Sequence, residues 1–232
     1  MTDAAGFVLR DVSRTRDGRR TLDGIDLTID ATGITALVGR SGAGKSSLIR
    51  LLNRLDAPDE GTVSWRGVDL ATIDPCEHRR RVAHVAQRPI PFDGTAADNL
   101  RVAEPELTSE RIVELLDQVG IGDRVDQQAS TLSGGEAQRM CIARALVSGP
   151  DVILADEPTS ALDAEARAGI EALAADIAAQ GVGWIWVSHD ATQTRRLAET
   201  VIVMEQGRVL AQGPAGEIDT HDDERVRRAL EG

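Results

Sequence analysis

Lysine is almost absent: of 26 lysine and arginine residues, 25 are arginine and one is lysine. Tyrosine is missing altogether, cysteine occurs twice, and no apolar run approaches the roughly 20 residues that cross a bilayer as a helix. The two cysteines, Cys76 and Cys141, offer neither a disulfide framework nor a metal-ligand spacing, which fits a reducing, cytosolic compartment. No charged-then-apolar leader opens the chain. The expectation is a chain that stays inside the cell and meets a membrane only through partners. A net charge of -12 and a pI of about 4.8 argue against nonspecific nucleic-acid binding. Arginine runs persist at Arg14, Arg16, Arg19 and Arg20 and at Arg79, Arg80 and Arg81. They read as readily as solvated faces as they do as phosphate or partner contacts.

What is present suits a globular protein with enough chain for a core: 232 residues, 41% hydrophobic and 28% charged. Short strand-like runs alternate with helix-period runs, the pattern of an α/β protein. Leu22, Ile25, Leu27 and Ile29 fall near period two, and residues 35–38 form a short buried strand running into Gly39. Leu48, Leu51, Leu52 and Leu55 then mark one helix face. Val63 and Trp65 alternate on a following strand, and residues 82–87 read as another. From residue 100 to 148 the pattern turns helical. Ser109 is placed to cap a helix with the stripe Ile112, Val113, Leu115, Leu116 and Val119, ended by Gly120. A second helix follows Gly134-Gly135 and runs through Ala145. Beyond it come a strand at 152–155, a helix over about 164–179, a strand at 184–187, a hairpin around Gln206-Gly207 and a charged terminal helix from Glu217.

The lone lysine lies in GRSGAGKSS, residues 39–47. G-x-x-x-x-G-K-S between a strand and a helix is the phosphate-binding P-loop pattern. Its glycines let backbone N–H groups close around phosphates, and the helix N-terminus adds positive potential. Lys45 is placed to reach the β- and γ-phosphates, and Ser46 to ligate Mg²⁺. Arginine's planar fork suits flat, bidentate partners, whereas lysine is a compact charge on a flexible stem. A tight backbone cradle has room for the second, which explains one lysine in an arginine-rich chain. The apolar strand at residues 152–155 leads to Asp156 and Glu157. Asp156 suits the metal side, and Glu157 suits a base that polarises the attacking water. Two solvated acids at a loop start is the plainer alternative. Leu132-Ser133-Gly134-Gly135-Glu136 is a second glycine loop opening a helix, fit to hold an anion or simply to be capped by Ser133.

Five segments occur in order: GRSGAGKS, Gln87 in VAQRP, LSGGEAQR, DVILADEPTSALD and His189 in WVSHD. Together they resemble the ATP-binding cassette (ABC) ATPases, the nucleotide-binding subunits of ABC transporters, over nearly the whole chain. The resemblance implies an α/β P-loop NTPase fold with an N-terminal antiparallel β-subdomain, a RecA-like mostly parallel core and a helical, signature-bearing insertion. It implies one domain over 1–232, with 1–99 and 149–232 forming the β-subdomain and core and 100–148 the helical subdomain. ATP and Mg²⁺ are the implied cofactors. Gly39, Arg40, Ser41, Gly42, Ala43, Gly44, Lys45, Ser46 and Ser47 would hold the nucleotide, and Ser46, Gln87 and Asp156 the metal. Glu157, His189 and Gln87 would serve catalysis, His189 as a switch touching the γ-phosphate, although a lone histidine beside a strand is more often structural. Ser133, Gly134 and Gly135 would contact the ATP bound by a second cassette, and Asp163 would communicate across that dimer.

At one place the chain departs from the family, which usually stacks an aromatic residue on adenine near the first turn. Here Arg16 takes that place. Its guanidinium can stack on a π-face, or it is solvated and adenine is held loosely.

The implied function is an ATPase that powers an ABC transporter through dimer closure, as a homodimer or a heterodimer of cassettes. It would couple to a separate transmembrane permease, peripheral on the cytoplasmic face of the membrane, with no nucleic-acid partner. The alternative is an ATPase that regulates a membrane or envelope partner without moving cargo. Residues 87–100, stiffened by Pro89 and Pro91 and carrying Phe92, would form the groove that receives a permease helix, or else a loop that packs within the fold. QRPIPF looks like phosphate-import cassettes and FDGTAADNL like iron or metal-export cassettes, so the two hints disagree on cargo.

Overall fold

The computed structural model describes residues 6–218 and 221–231. Strands β1 (Gly6–Arg16), β2 (Arg19–Asp30) and β3 (Ile34–Val38) lead into helix α1 (Lys45–Leu52), then β4 (Glu60–Trp65) and β5 (Val68–Asp69). Helix α2 (Pro75–Arg81) and β6 (Val82–Val85) precede three helices, α3 (Ala96–Arg101), α4 (Ser109–Gln118) and α5 (Gly134–Leu146). The chain continues through β7 (Val152–Asp156), α6 (Ala164–Ala179), β8 (Gly183–Val187) and α7 (Ala191–Leu197). It ends with the hairpin β9 (Thr200–Glu205) and β10 (Arg208–Pro214) and the helices α8 (Ala215–Ile218) and α9 (Glu224–Glu231).

The strands form two sheets. The first is antiparallel, in the order β2-β1-β4-β5. The second runs β10-β9-β3-β8-β7-β6 and is parallel except for the β9–β10 hairpin. Every residue of β3 and β8 is buried, as expected for parallel strands covered on both faces. The period-two geometry of a strand divides β7 between two cores. Val152 and Leu154 pack with α1 and the antiparallel sheet, while Ile153 and Ala155 pack with the helices α3 to α6. The apolar faces on both sides pin the parallel register, and with it the heights at which the strands end.

Several local expectations shift. Helix α1 ends at Leu52, and Arg54 takes a left-handed φ of 53°, so Leu55 leaves the helix face and is exposed. Thr108, not Ser109, caps α4 by accepting from the Arg111 N–H; both hydroxyls were available and only one precedes the first turn. Val113 faces solvent, because the buried stripe is Ile112, Leu115, Leu116 and Val119. Helix α5 begins at Gly134, one residue after its cap Ser133. The charged tail is two helices, α8 and α9, rather than one; the segment joining them includes residues 219–220, which lie outside the described residues. Both arginine runs have structural partners: Arg14 pairs with Asp59 and Asp56, Arg20 with Asp23 and Glu60, and Arg79 donates to the carbonyls of Asn53 and Arg54.

Candidate active site

Three neighbouring strands, β3, β8 and β7, end side by side, with Leu37 opposite Val187 and Val187 opposite Asp156. Each carboxyl end feeds a loop that the motifs had marked. Parallel α/β sheets bind ligands at this edge.

After β3 the chain forms the 39–47 loop, with Gly39, Gly42 and Gly44 at φ 147°, 80° and 105°. A Cβ on Gly39 would come within 2.2 Å of the Met204 carbonyl oxygen, and one on Gly44 within 2.5 Å of the Thr21 carbonyl oxygen. Glycine at these two places is therefore required by both conformation and space. The Gly207 N–H donates to the Ala43 carbonyl at 2.9 Å, fastening the loop to the β9–β10 hairpin. Helix α1 starts with no side-chain cap and no acid in its first turn, so its N-terminal potential is free to act on an anion. Lys45 is 6% exposed, and its Nζ donates to the carbonyls of Gly39 at 2.6 Å and Arg40 at 3.2 Å. Burial pushes its ammonium below the ordinary lysine value, and the nearby carboxylates Glu157 and Asp156 act against that shift.

Asp156 closes β7, and its Oδ1 lies 3.5 Å from Ser46 Oγ. Glu157 follows in the left-handed region at φ 49°, a conformation that costs a non-glycine residue about 1 kcal/mol or more and is common at functional sites. Its two oxygens are held separately. Oε2 accepts from Gln87 Nε2 at 3.1 Å, and Oε1 contacts Nε2 of His189. The same Gln87 amide donates to Ser160 Oγ at 3.1 Å. A carboxylate gripped from both sides cannot rotate freely, which suits a base that must address one position. A cleft of about 210 Å³ lies in front of these groups, lined by Thr21, Ser41, Gly42, Ala43, Gly44, Lys45, Ser46, Ser47, Glu157 and His189.

The fold thus gathers the P-loop, Asp156, Glu157, Gln87 and His189, which lie up to 150 positions apart in the sequence. It does not bring Ser133, Gly134, Gly135, Asp163 or Arg16 to the same cleft. Ser133 and Asp163 act as helix caps. Ser133 Oγ accepts from the Glu136 N–H while Glu136 returns a bond to the Ser133 N–H, and Asp163 accepts from Ala166 N–H. Arg124 grips the Glu136 carboxylate and, with those cap bonds, draws its pKa down to about 2. Arg16 sits at the tip of the β1–β2 hairpin, paired across it with Arg19 and half exposed, near Asp17. Sequence reasoning missed Thr21 in the cleft wall, which arrives by long-range packing and belongs to no local pattern, and it gave no role to Ser160, which lies within DVILADEPTSALD and meets Gln87 only through the fold.

Ser46 Oγ and Asp156 Oδ1 are hard oxygen donors at the helix mouth, a set that suits Mg²⁺, which prefers one or two protein oxygens together with water and phosphate. A glycine cradle, a buried ammonium and an oriented carboxylate are parts that suit a nucleotide-hydrolysing site. The chain belongs to the ABC transporter family, whose profile matches residues 22–160, and is one of its ATP-binding, ATP-hydrolysing cassettes. It is similar to the phosphate import ATP-binding protein PstB 2 of Natronomonas pharaonis, with 36% identity over 246 residues, 98% of this chain and 87% of that protein. It is also similar to the methionine import ATP-binding protein MetN of Brucella abortus, with 35% identity over 240 residues, 99% of this chain but 65% of that protein. Among solved structures, cbiO1 from Clostridium perfringens, part of the ABC transporter complex cbiONQ, matches with a TM-score of 0.84 and 26% identity, over 96% of this chain and 92% of that one.

Proposed function

We propose that this chain hydrolyses ATP with Mg²⁺ in a head-to-tail dimer of cassettes and so powers a transporter through a separate permease. The observation that carries this reading is the double grip on Glu157 beside the Lys45 cradle. Lys45 exchanges its carbonyl partners for phosphate oxygens, and the open N-terminus of α1 adds its potential there. Ser46, Asp156 and Gln87 would hold Mg²⁺, which when bound would neutralise charge on the phosphates. Glu157 orients and polarises the attacking water, while His189 and Gln87 keep its carboxylate aimed. Phosphoryl transfer asks chiefly for positioning and charge stabilisation, and these residues supply both.

Ser133, Gly134 and Gly135 stand away from their own chain's cleft, which supports their delivery to the cleft of a second cassette, with Asp163 beside that contact. Closure of the dimer would then license hydrolysis. We take the chain as a single domain, with residues 1–99 and 149–232 as β-subdomain and core and 100–148 as the helical part. Between the two runs a groove of about 530 Å³, bordered by Pro89, Ile90, Phe92, Val102 and Arg144. Ile90, Phe92 and Val102 are exposed there, which supports this groove as the seat of a permease helix and membrane attachment through it. Relatives named for import favour import as the direction. Glu157→Gln tests the reading. ATP binding should stay near wild type while turnover is lost; near wild-type hydrolysis contradicts the assigned base.

A further inference from the structure

Behind the contact between His189 and Glu157 lies a buried polar cluster centred on Gln193, a residue outside the motifs. Gln193, on α7, is 3% exposed. Its Oε1 accepts from Ser188 Oγ at 2.7 Å and Trp186 Nε1 at 3.3 Å. Its Nε2 donates to Thr159 Oγ1 at 2.8 Å and Glu171 Oε1 at 2.9 Å. A primary amide offers two acceptor and two donor positions, and all four are used. The partners also fix which way the amide faces. The Trp186 indole can only donate, and the Glu171 carboxylate, buried and ion-paired with Arg196, can only accept.

The four partners come from different segments. Trp186 is on β8, Ser188 immediately precedes His189, Thr159 follows Glu157 by two positions, and Glu171 is on α6. One side chain therefore ties the His189 loop to the Glu157 loop and braces both against α6. The space between the loops is not filled by apolar packing. A cleft of about 290 Å³ opens there, with Glu157, His189, Ser160 and Arg167 among its walls. Hydrogen bonds, more than packing, set the spacing of the two loops.

We infer that Gln193 is a positioning residue for ATP hydrolysis, holding the His189 and Glu157 loops at the separation that keeps the Glu157 carboxylate aimed. This rests on the reading of Glu157 as the base. Gln193 does not line the cleft in front of Lys45, so its loss should leave ATP binding alone.

Gln193→Glu keeps the shape and the two accepted bonds but turns a carboxylate oxygen toward Glu171, setting two buried carboxylates face to face. The expected result is a kcat about tenfold lower or less still, with KM for ATP unchanged within about twofold. Adding Glu171→Gln exchanges amide and carboxylate and restores a donor facing an acceptor, while the retained amide oxygen still accepts from Arg196. The double variant should recover kcat to within about threefold of wild type. Gln193→Met, matched in length and uncharged, should show the same split of kcat from KM and serves if Gln193→Glu folds poorly. A wild-type kcat in the single variants overturns the inference. So does a double variant whose melting temperature recovers while its kcat does not. Glu157→Gln run alongside separates the two readings: if it stays active, the proposed base is wrong, and if it is inactive while the Gln193 variants match wild type, only the positioning role fails.

Discussion

Replacing Lys45 by arginine keeps the charge and changes only the shape of the group inside the cradle. Lys45 Nζ sits 2.6 Å from the Gly39 carbonyl oxygen and 3.2 Å from that of Arg40, so the space around it is set by backbone. That backbone cannot retreat. Gly39 is already jammed against Met204 and Gly44 against Thr21, where even a Cβ would come within 2.2 Å and 2.5 Å of carbonyl oxygens. An arginine must force its planar fork into this space or swing out and leave the cradle without a cation. Overpacking a tight site costs about 1–3 kcal/mol. Expressed as affinity, that is about a 5- to 150-fold rise in the ATP dissociation constant. Nucleotide titration measures it directly, with a melting curve to show that the variant folds. Turnover should fall with it. A folded Lys45→Arg variant that binds and hydrolyses ATP as wild type does would refute the geometric account of why one lysine persists.

Glu136→Gln removes the carboxylate that Arg124 and the Ser133 cap hold at a pKa of about 2, against an ordinary 4.5. Because the folded value is depressed, that carboxylate stabilises the fold above pH 4.5, and the gain fades as pH falls toward 2. Melting temperatures should therefore differ most at neutral pH and converge on acidification; parallel curves contradict this. For adenine contact, Arg16→Ala should raise the ATP dissociation constant several-fold, and an unchanged constant removes Arg16 from the site.

The site's core was legible because its parts are local. A strand, a glycine loop and a helix follow one another within 34–52, and β7 announces Asp156 by four apolar residues before it. The long helix α6 and the β9–β10 hairpin were equally plain, one from alanine-rich periodicity and the other from Gln206-Gly207, both at positive φ. Short helices were not. α7 reads ATQTRRL, with too little apolar periodicity to mark it, yet it carries Gln193. The four partners of that amide lie between 5 and 34 residues away, a constellation that no local spacing encodes. Leu55 shows the complementary limit. Pattern placed it on a helix face, but an early helix end decided where it went.

The central claim is that each hydrolytic site is completed by a second chain, with Ser133 of one cassette serving the Lys45 cleft of another. Lys45→Ala disables one half of every site and Ser133→Arg the other, so each variant alone should be nearly inactive. In an equimolar mixture, random pairing of a two-fold dimer leaves about a quarter of the sites with both halves intact. Steady-state ATPase activity of that mixture should rise far above the sum of the two variants measured separately. Activity no greater than that sum would contradict a site shared between chains.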